Sequence, residues 1–370
     1  MDRQNGGPNE EPKLVTLLRE DLYRGDFQKT VRRDFRELKE FFLNENRKKR
    51  LEQMGWFRRG MYTFGWMLKS LFLKLTPARR ILCLISIAFL FLSRNFQIQG
   101  EHTSVDFNFT IIGALILLFI LMLELKDKLL ARNELEAGRA VQNAFMPVRN
   151  PAVPGWSLWL FTRTANEVGG DLVDFQKIDT NRFGISLADV SGKGLSAALL
   201  MAKLQATIRA LAPDFDSLSE LGRKINKIFC RDSLPTFFAS LIYIEFKPES
   251  GSVRMVNAGH LPPILVRGKE IHEMQKGDAA IGLIPESAYA EQHIELEKGD
   301  IVFLYSDGIT DAKNETNEFF GAQKLLQILP KINELSTQEI GGKILKEIDS
   351  FIGDTPLYDD LSIVIMKRLI

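Results

Sequence analysis

The stretch from Phe107 to Leu123 constrains this chain more than any other, because its apolar character is broken only by Asn108, Thr110 and Gly113. A run of that length belongs in a hydrophobic core or in a bilayer. A second apolar run, Ile81 to Leu92, follows Arg79 and Arg80 and is shorter than the roughly 20 residues a bilayer core requires. Together the two runs read as a two-helix transmembrane hairpin over 79–123. Arg79, Arg80, Lys126 and Lys128 flank its outer ends, whereas the connecting Ser93 to Asp106 carries one Arg and two acids. The excess of basic residues outside the hairpin predicts that both flanking regions face the cytoplasm, making the chain a multi-pass protein of the cytoplasmic (inner) membrane. The alternative is a pair of buried core helices.

Region 1–78 is expected to be helical and cytoplasmic. Leu14 to Leu75 interleaves Arg and Lys with apolar residues. Gly55 to Leu75 mixes Trp56, Phe57, Tyr62, Phe64 and Trp66 with Arg58, Arg59, Lys69 and Lys74, which suits an amphipathic helix at a membrane surface or a plain packed helix. Met1 to Pro12 is polar and acidic, unlike a signal peptide. After the hairpin, 124–150 reads as a linker helix with a coiled-coil-like seam at Leu130, Ala137 and Ala144 that could pair two copies into a homodimer. The Pro151 to Gly155 stretch breaks regular structure and opens the last domain, 151–370.

At 370 residues and 45% hydrophobic content, the chain can bury a full core in two to three units of about 150 residues each. Its 48 basic residues balance 47 acidic ones, so net charge supplies no pull toward nucleic acid. Cys83 and Cys230 lie too far apart in sequence to suggest a disulfide framework or a zinc site. Within 151–370, strands are expected at 157–163, 172–178, 182–188, 237–246, 252–257, 264–267, 301–306 and 361–366. Helices are expected at 195–212, 218–231, 322–328 and 337–351. Strands outnumber helices and the helices come in pairs, which favours a sheet sandwich with helices outside over a doubly wound sheet.

Four acidic loops punctuate this domain, each beside an expected strand. They are Val168-Gly169-Gly170-Asp171-Leu172-Val173-Asp174, Ala188-Asp189-Val190-Ser191-Gly192-Lys193-Gly194, Ser306-Asp307-Gly308-Ile309-Thr310-Asp311 and Tyr358-Asp359-Asp360. A single Asp of this kind could merely cap a helix. Four strand-end Asp motifs in one domain instead fit an oxygen-ligand site for hard divalent cations, and Mg²⁺ or Mn²⁺ suits such a site better than zinc. Two such ions can clamp a phosphate and activate a water.

With Asn257-Ala258-Gly259-His260-Leu261-Pro262-Pro263 between the second and third loops, this series of motifs resembles the SpoIIE and RsbU branch of the PPM-type metal-dependent protein phosphatases. The resemblance covers about Trp156 to Ile370, and the helix around Glu134 to Gln142 also resembles the one that precedes such domains. It implies an α+β fold, specifically an α-β-β-α sandwich of two packed antiparallel sheets flanked by helix pairs. It also implies two Mn²⁺ or Mg²⁺ ions and hydrolysis of phosphoserine or phosphothreonine on a phosphoprotein such as a STAS-type anti-sigma-factor antagonist. Carried over by position, Asp189 bridges the metals with the Val190 carbonyl as a further ligand, Asp307 and Asp359 hold the other ion, and Asp171 ligates a metal or orients its water. Asp189 and Asp307 are then the catalytic residues. Asp174, Asp360, His260, Ser191 and Gly192 are further candidates. Asp174 and Asp360 could equally bond locally to backbone amides. Ser191 stands where more distant members carry a His, and His260 could be the general acid or a structural residue. Lys193 could steer an anion or simply be solvated.

Two rival readings remain. Gly169-Gly170-Asp171 also resembles the start of a diguanylate cyclase signature, but Leu172 and Val173 follow where Glu-Phe is required. A catalytically silent relative that only binds a partner is the other alternative.

Overall fold

The computed structural model describes Leu38, Arg50, Leu51 and residues 54–91, 95–99, 104–234 and 236–370. The helical expectation for the region before Met54 therefore lies outside the described residues, apart from Leu38, Arg50 and Leu51. The chain divides into two units, Met1–Lys128 and Leu129–Ile370.

In the first unit, α1 (Trp56–Lys74) and α2 (Pro77–Phe91) precede a strand pair, β1 (Asn95–Gln99) and β2 (Ser104–Asn108), and then the start of α3 (Phe109–Phe145). The connection between the two apolar runs carries two antiparallel strands, in register from Asn95 opposite Asn108 to Gln99 opposite Ser104. Helices α2 and α3 meet closely. The Ser86 hydroxyl donates to the Gly113 carbonyl at 2.7 Å, and a Cβ on Gly113 would come within 2.8 Å of the Ser86 carbonyl oxygen. Small residues at such a crossing let two helix backbones approach. Arg79 pairs with both Glu124 and Asp127 at 2.6 Å.

By length and composition α3 could cross a membrane, and Ile111, Leu115, Leu118, Phe119 and Met122 on it are exposed. The 15 residues of α2 rise only about 22 Å, against a hydrocarbon core of about 30 Å. Leu195–Asp214 meets the same length and composition test. It buries Ala197, Met201, Leu204 and Ile208, and it packs on a sheet as a core helix.

The second unit is a sandwich. Its strands are β3 (Trp156–Arg163), β4 (Asp171–Lys177), β5 (Phe183–Val190), β6 (Ala239–Phe246), β7 (Ser252–Ala258), β8 (Ile264–Arg267), β9 (Glu270–Glu273), β10 (Glu291–Glu295), β11 (Ile301–Tyr305) and β12 (Leu361–Arg368). They form two antiparallel five-stranded sheets, in the orders β10-β7-β6-β5-β4 and β3-β12-β11-β8-β9. Helices α4 (Leu195–Leu211) and α5 (Leu218–Asp232) cover the first sheet. A short α6 (Asp307–Thr310) follows β11, and α7 (Ala322–Ile332) and α8 (Thr337–Ile352) cover the second sheet.

Alternation along the strands explains these layers. On β12, Leu361, Ile363 and Ile365 pack with Ile340, Ile344 and Ile348 of α8, whereas Val364 and Met366 face the other sheet beside Ile185, Leu187, Ile242 and Ile244. On β5 and β6, Ala188, Val190, Leu241 and Tyr243 meet Met201, Leu204 and Ile225 of the opposite helix pair. A capping box starts α8: Ser336 Oγ accepts from the Glu339 amide at 3.3 Å, and Glu339 Oε2 accepts from the Ser336 amide at 3.0 Å. The α-β-β-α sandwich expected from the sequence is the observed architecture. Strands β9 and β10 and helix α6 were not anticipated.

Candidate metal centre

Strand register decides where the first two carboxylates go. In the β4–β5 pair, Asp171 lies directly opposite Asp189, and on the far side of β5 Asp189 lies opposite Ser240. Asp171 shares its strand face with Val173, and Asp189 shares its own with Leu187, so both lie on the face turned toward the other sheet. Like charges directly opposite one another on paired strands repel. Burial, and then the neighbouring Asp189, push the Asp171 carboxyl well above the usual carboxylate range, while the Ser362 and Ser306 hydroxyls pull the other way.

The second sheet supplies the rest. Asp307 opens α6 immediately after β11, and Asp359 and Asp360 immediately precede β12, the strand hydrogen-bonded to β11. Their charges reach across the sandwich. Burial raises the Asp189 carboxyl to about 7, helped by Asp307, Asp359 and Asp360 and opposed by Lys193. The Asp307 carboxyl is also raised, first by burial and then by Asp359 and Asp311. Two sheets therefore point carboxylates at a shared space, an arrangement that a bound cation would relieve.

Asp360 ties the two halves together. Its Oδ1 accepts from the Ala165 amide at 2.8 Å, and its Oδ2 accepts from the amides of Gly170 at 2.7 Å and Asp171 at 3.4 Å. Its bonds to amides are thus long-range rather than the local ones expected. Two glycines make room for it. A Cβ on Gly169 would overlap Asp360 Oδ2, and one on Gly308 would overlap the Asp360 carbonyl oxygen. The Ser306 hydroxyl completes the junction, donating to the Asp360 carbonyl at 3.1 Å and accepting from the Ser362 amide at 2.9 Å.

The residues fit a divalent ion on two observations. Asp171 Oδ2 is buried and, among the described residues, has no hydrogen-bond partner, a costly state for a carboxylate oxygen without a ligand. Gly170 leaves a notch: a Cβ there would sit 3.1 Å from the Val190 carbonyl oxygen and 3.9 Å from Asp189 Oδ1. Among the described residues, no group of three or more acidic, imidazole or thiol side chains forms a ready metal cage. An ion that binds through one or two carboxylates and keeps several waters, as Mg²⁺ does, needs no such cage.

The other candidates have different surroundings. Asp174 is three residues from Asp171 and so lies on the opposite strand face, where Arg209 of α4 holds it at 2.7 and 2.6 Å. His260 is buried, and its backbone is closed by Asn257: the His260 amide donates to Asn257 Oδ1 at 2.9 Å, and Asn257 Nδ2 donates to the His260 carbonyl at 3.1 Å. Burial lowers the imidazole to about 4, so it is neutral near pH 7, a poor state for a cationic general acid. Ser191 locks its loop to the start of β6, its Oγ accepting from the Phe238 amide at 2.9 Å. Gly192 adopts φ +101°, and a Cβ there would meet the Phe237 ring at 3.2 Å. Asp311 follows α6, and its amide donates to the Asp307 carbonyl at 2.8 Å.

Three contributors were not singled out by the motifs' chemistry: Ser306 and Gln142, which lie in stretches that carry the resemblance, and Arg209, which lies outside them. Gln142 Nε2 donates to the Gly169 carbonyl at 2.8 Å, and its Oε1 accepts from the Gly169 amide at 3.2 Å. A polar residue near the exposed end of α3 offers no sequence cue to a partner 27 positions away.

Comparison with known proteins agrees with the fold. Residues 179–369 match the family model for stage II sporulation protein E, SpoIIE. The chain is 26% identical over 273 residues to protein IcfG of Synechocystis, an alignment that spans 66% of this chain and 43% of IcfG. It is 24% identical over 239 residues to phosphoserine phosphatase RsbU of Bacillus subtilis, spanning 64% of this chain and 70% of RsbU. Among solved structures, the SiaA-PP2C domain of Pseudomonas aeruginosa superposes with a TM-score of 0.58 at 17% identity, covering 66% of this chain and 99% of that domain. The PP2C domain of SpoIIE from Bacillus subtilis gives a TM-score of 0.51 at 17% identity, covering 58% of this chain and 62% of that one.

Proposed function

Because this chain belongs to the SpoIIE family and has the PP2C fold, we propose that it is a metal-dependent protein phosphatase that removes phosphate from phosphoserine or phosphothreonine. The carrying observation is the convergence of Asp171 and Asp189 from one sheet with Asp307 and Asp359 from the other, around a buried carboxylate oxygen that has no hydrogen-bond partner among the described residues. RsbU and RsbP, two similar proteins, are named phosphoserine phosphatases. The phosphoprotein substrate proposed for this chain is a STAS-type anti-sigma-factor antagonist.

Two ions, Mg²⁺ or Mn²⁺, would be held by Asp189, the Val190 carbonyl, Asp171, Asp307 and Asp359. Bound there, they supply Lewis acidity toward a phosphoryl oxygen and lower the pKa of water. The chain's own groups do the positioning. Asp360 and Ser306 fix the two sheets' loops against each other, Ser191 holds the Asp189 loop to β6, and Gly170 keeps the notch open.

Full-length protein stripped with a chelator should not release phosphate from a phosphoserine peptide, and millimolar Mn²⁺ or Mg²⁺ should restore turnover by about a thousandfold or more, the several kcal/mol a metal contributes. Turnover that is indifferent to the chelator would refute the reading.

The same chain is proposed to be anchored in the cytoplasmic membrane through 79–123, with 151–370 in the cytoplasm, and to pair through 124–150. Leu130, Ala137 and Ala144 support pairing, since all three are exposed along one seam of α3. Full-length protein should stay with membranes through a carbonate wash, and Leu130→Glu should abolish cross-linking between copies. Release into the wash, or cross-linking unaffected by the charge, would count against the respective part.

A further inference from the structure

The Lys193 side chain leaves the Asp189 loop for the other sheet. Gly192 at φ +101° and Gly194 at φ +69° bracket it, conformations that L side chains rarely adopt. The loop delivers the ammonium to the segment before β12. There Nζ stands 3.1 Å from Asp359 Oδ2, donates to the Tyr358 carbonyl at 2.8 Å and lies 4.1 Å from the centre of the Tyr358 ring. Lys313 approaches the same ring, at 4.6 Å. The charge of Lys193 is felt beyond Asp359, since it opposes the upward shifts of both Asp189 and Asp307.

A carboxylate cluster without its metal needs compensating positive charge, and this loop carries its own. Given the metal-site reading above, on which this inference rests, we propose that Lys193 is a built-in counter-cation that occupies the Asp359 arm and is displaced when a divalent ion binds. The lysine thereby sets the metal affinity of the site. Its exposure makes displacement feasible. The Lys193 side chain is 48% exposed and that of Asp359 38%, and an ion pair so open to water is weak. A divalent ion close to several carboxylates outcompetes one ammonium held by a single carboxylate. The freed side chain keeps an aromatic neighbour in Tyr358, itself exposed.

The test uses full-length protein stripped of metal, with Mn²⁺ binding followed calorimetrically and through the melting temperature, independently of turnover. Lys193→Gln should lower the half-saturating Mn²⁺ concentration about threefold or more, the equivalent of losing one exposed ion pair. Lys193→Arg, which keeps the charge, should leave it near the wild-type value. In the wild type, amine labelling of Lys193 read by mass spectrometry should rise when Mn²⁺ is added. Unchanged or weaker Mn²⁺ binding by Lys193→Gln, or labelling that does not change while the melting temperature reports bound metal, overturns the role of the lysine alone. If wild type and Asp307→Asn respond identically to Mn²⁺, the metal site itself is misassigned and the proposal falls with it.

Discussion

Asp189→Asn and Asp307→Asn should each lower metal-dependent turnover about a thousandfold or more while leaving the fold intact. Each substitution deletes a charged ligand from a site built almost wholly of carboxylates, and a metal's contribution of several kcal/mol converts to at least three decades in rate. The stability readout should move the other way. Asp189 faces Asp171 across paired strands and is further crowded by Asp307 and Asp359, so in the metal-free protein an uncharged amide at either position removes repulsion. Metal-free melting temperatures should therefore equal or exceed the wild-type value, and the extra melting temperature gained on adding Mn²⁺ should shrink. Near-normal turnover in either variant with metal bound would rule out the assignment of that residue.

Asp360→Ala should behave differently: it should destabilise the protein whether or not metal is present. This carboxylate is buried and accepts from the amides of Ala165, Gly170 and Asp171, so its removal strands donors that water reaches poorly. The expected cost is about 3 kcal/mol, from losing charge-assisted bonds and leaving amides unpaired. In a domain of this size that corresponds to a fall in melting temperature of roughly 6–12 °C. Turnover should fall as well, because the amides of Gly170 and Asp171 are what set the Asp171 carboxylate against Asp189. Melting in chelator separates the two possible roles. A metal ligand would lose affinity with little change in the chelated melting temperature, whereas an anchor loses chelated stability first.

The contrast between Asp359 and Asp360 also marks how far the sequence could be read. Strand-end Asp residues beside Gly announced the carboxylate cluster, because turn-forming glycines and alternating apolar runs are local signals. The eight expected strands correspond to observed ones for the same reason: each carries buried apolar residues in a short stretch bounded by turn signals. Strands β9 and β10 escaped notice because Glu270-Ile271-His272-Glu273 and Glu291-Gln292-His293-Ile294-Glu295 are polar edge strands. Their pairing with β8 and β7 is imposed by the sheet rather than by their own composition. The roles of individual site residues were harder to read. Whether Asp174 turns to the metal or to Arg209 depends on strand parity combined with the position of α4. That Asp360 reaches amides nearly two hundred positions earlier depends on two sheets docking. The three-residue spacing from Asp171 gives the parity of Asp174, but neither long-range partner leaves a trace in nearby residues.

The place of β12 in its sheet has a consequence for when the protein can become active. It lies between β3 and β11, pairing Leu361 with Arg163 on one side and Ile363 with Tyr305 on the other, although every other strand precedes it in sequence. A ribosome that has translated as far as α8 has made β3 and β11 but not the strand that joins them. At that moment Asp171, Asp189 and Asp307 exist, while Asp359 and the Asp360 clamp do not. Pairing across so much intervening chain is slow to form. Under the proposed metal site, an incomplete chain lacks Asp359 and the Asp360 clamp, so turnover is expected only once β12 has paired with β3 and β11.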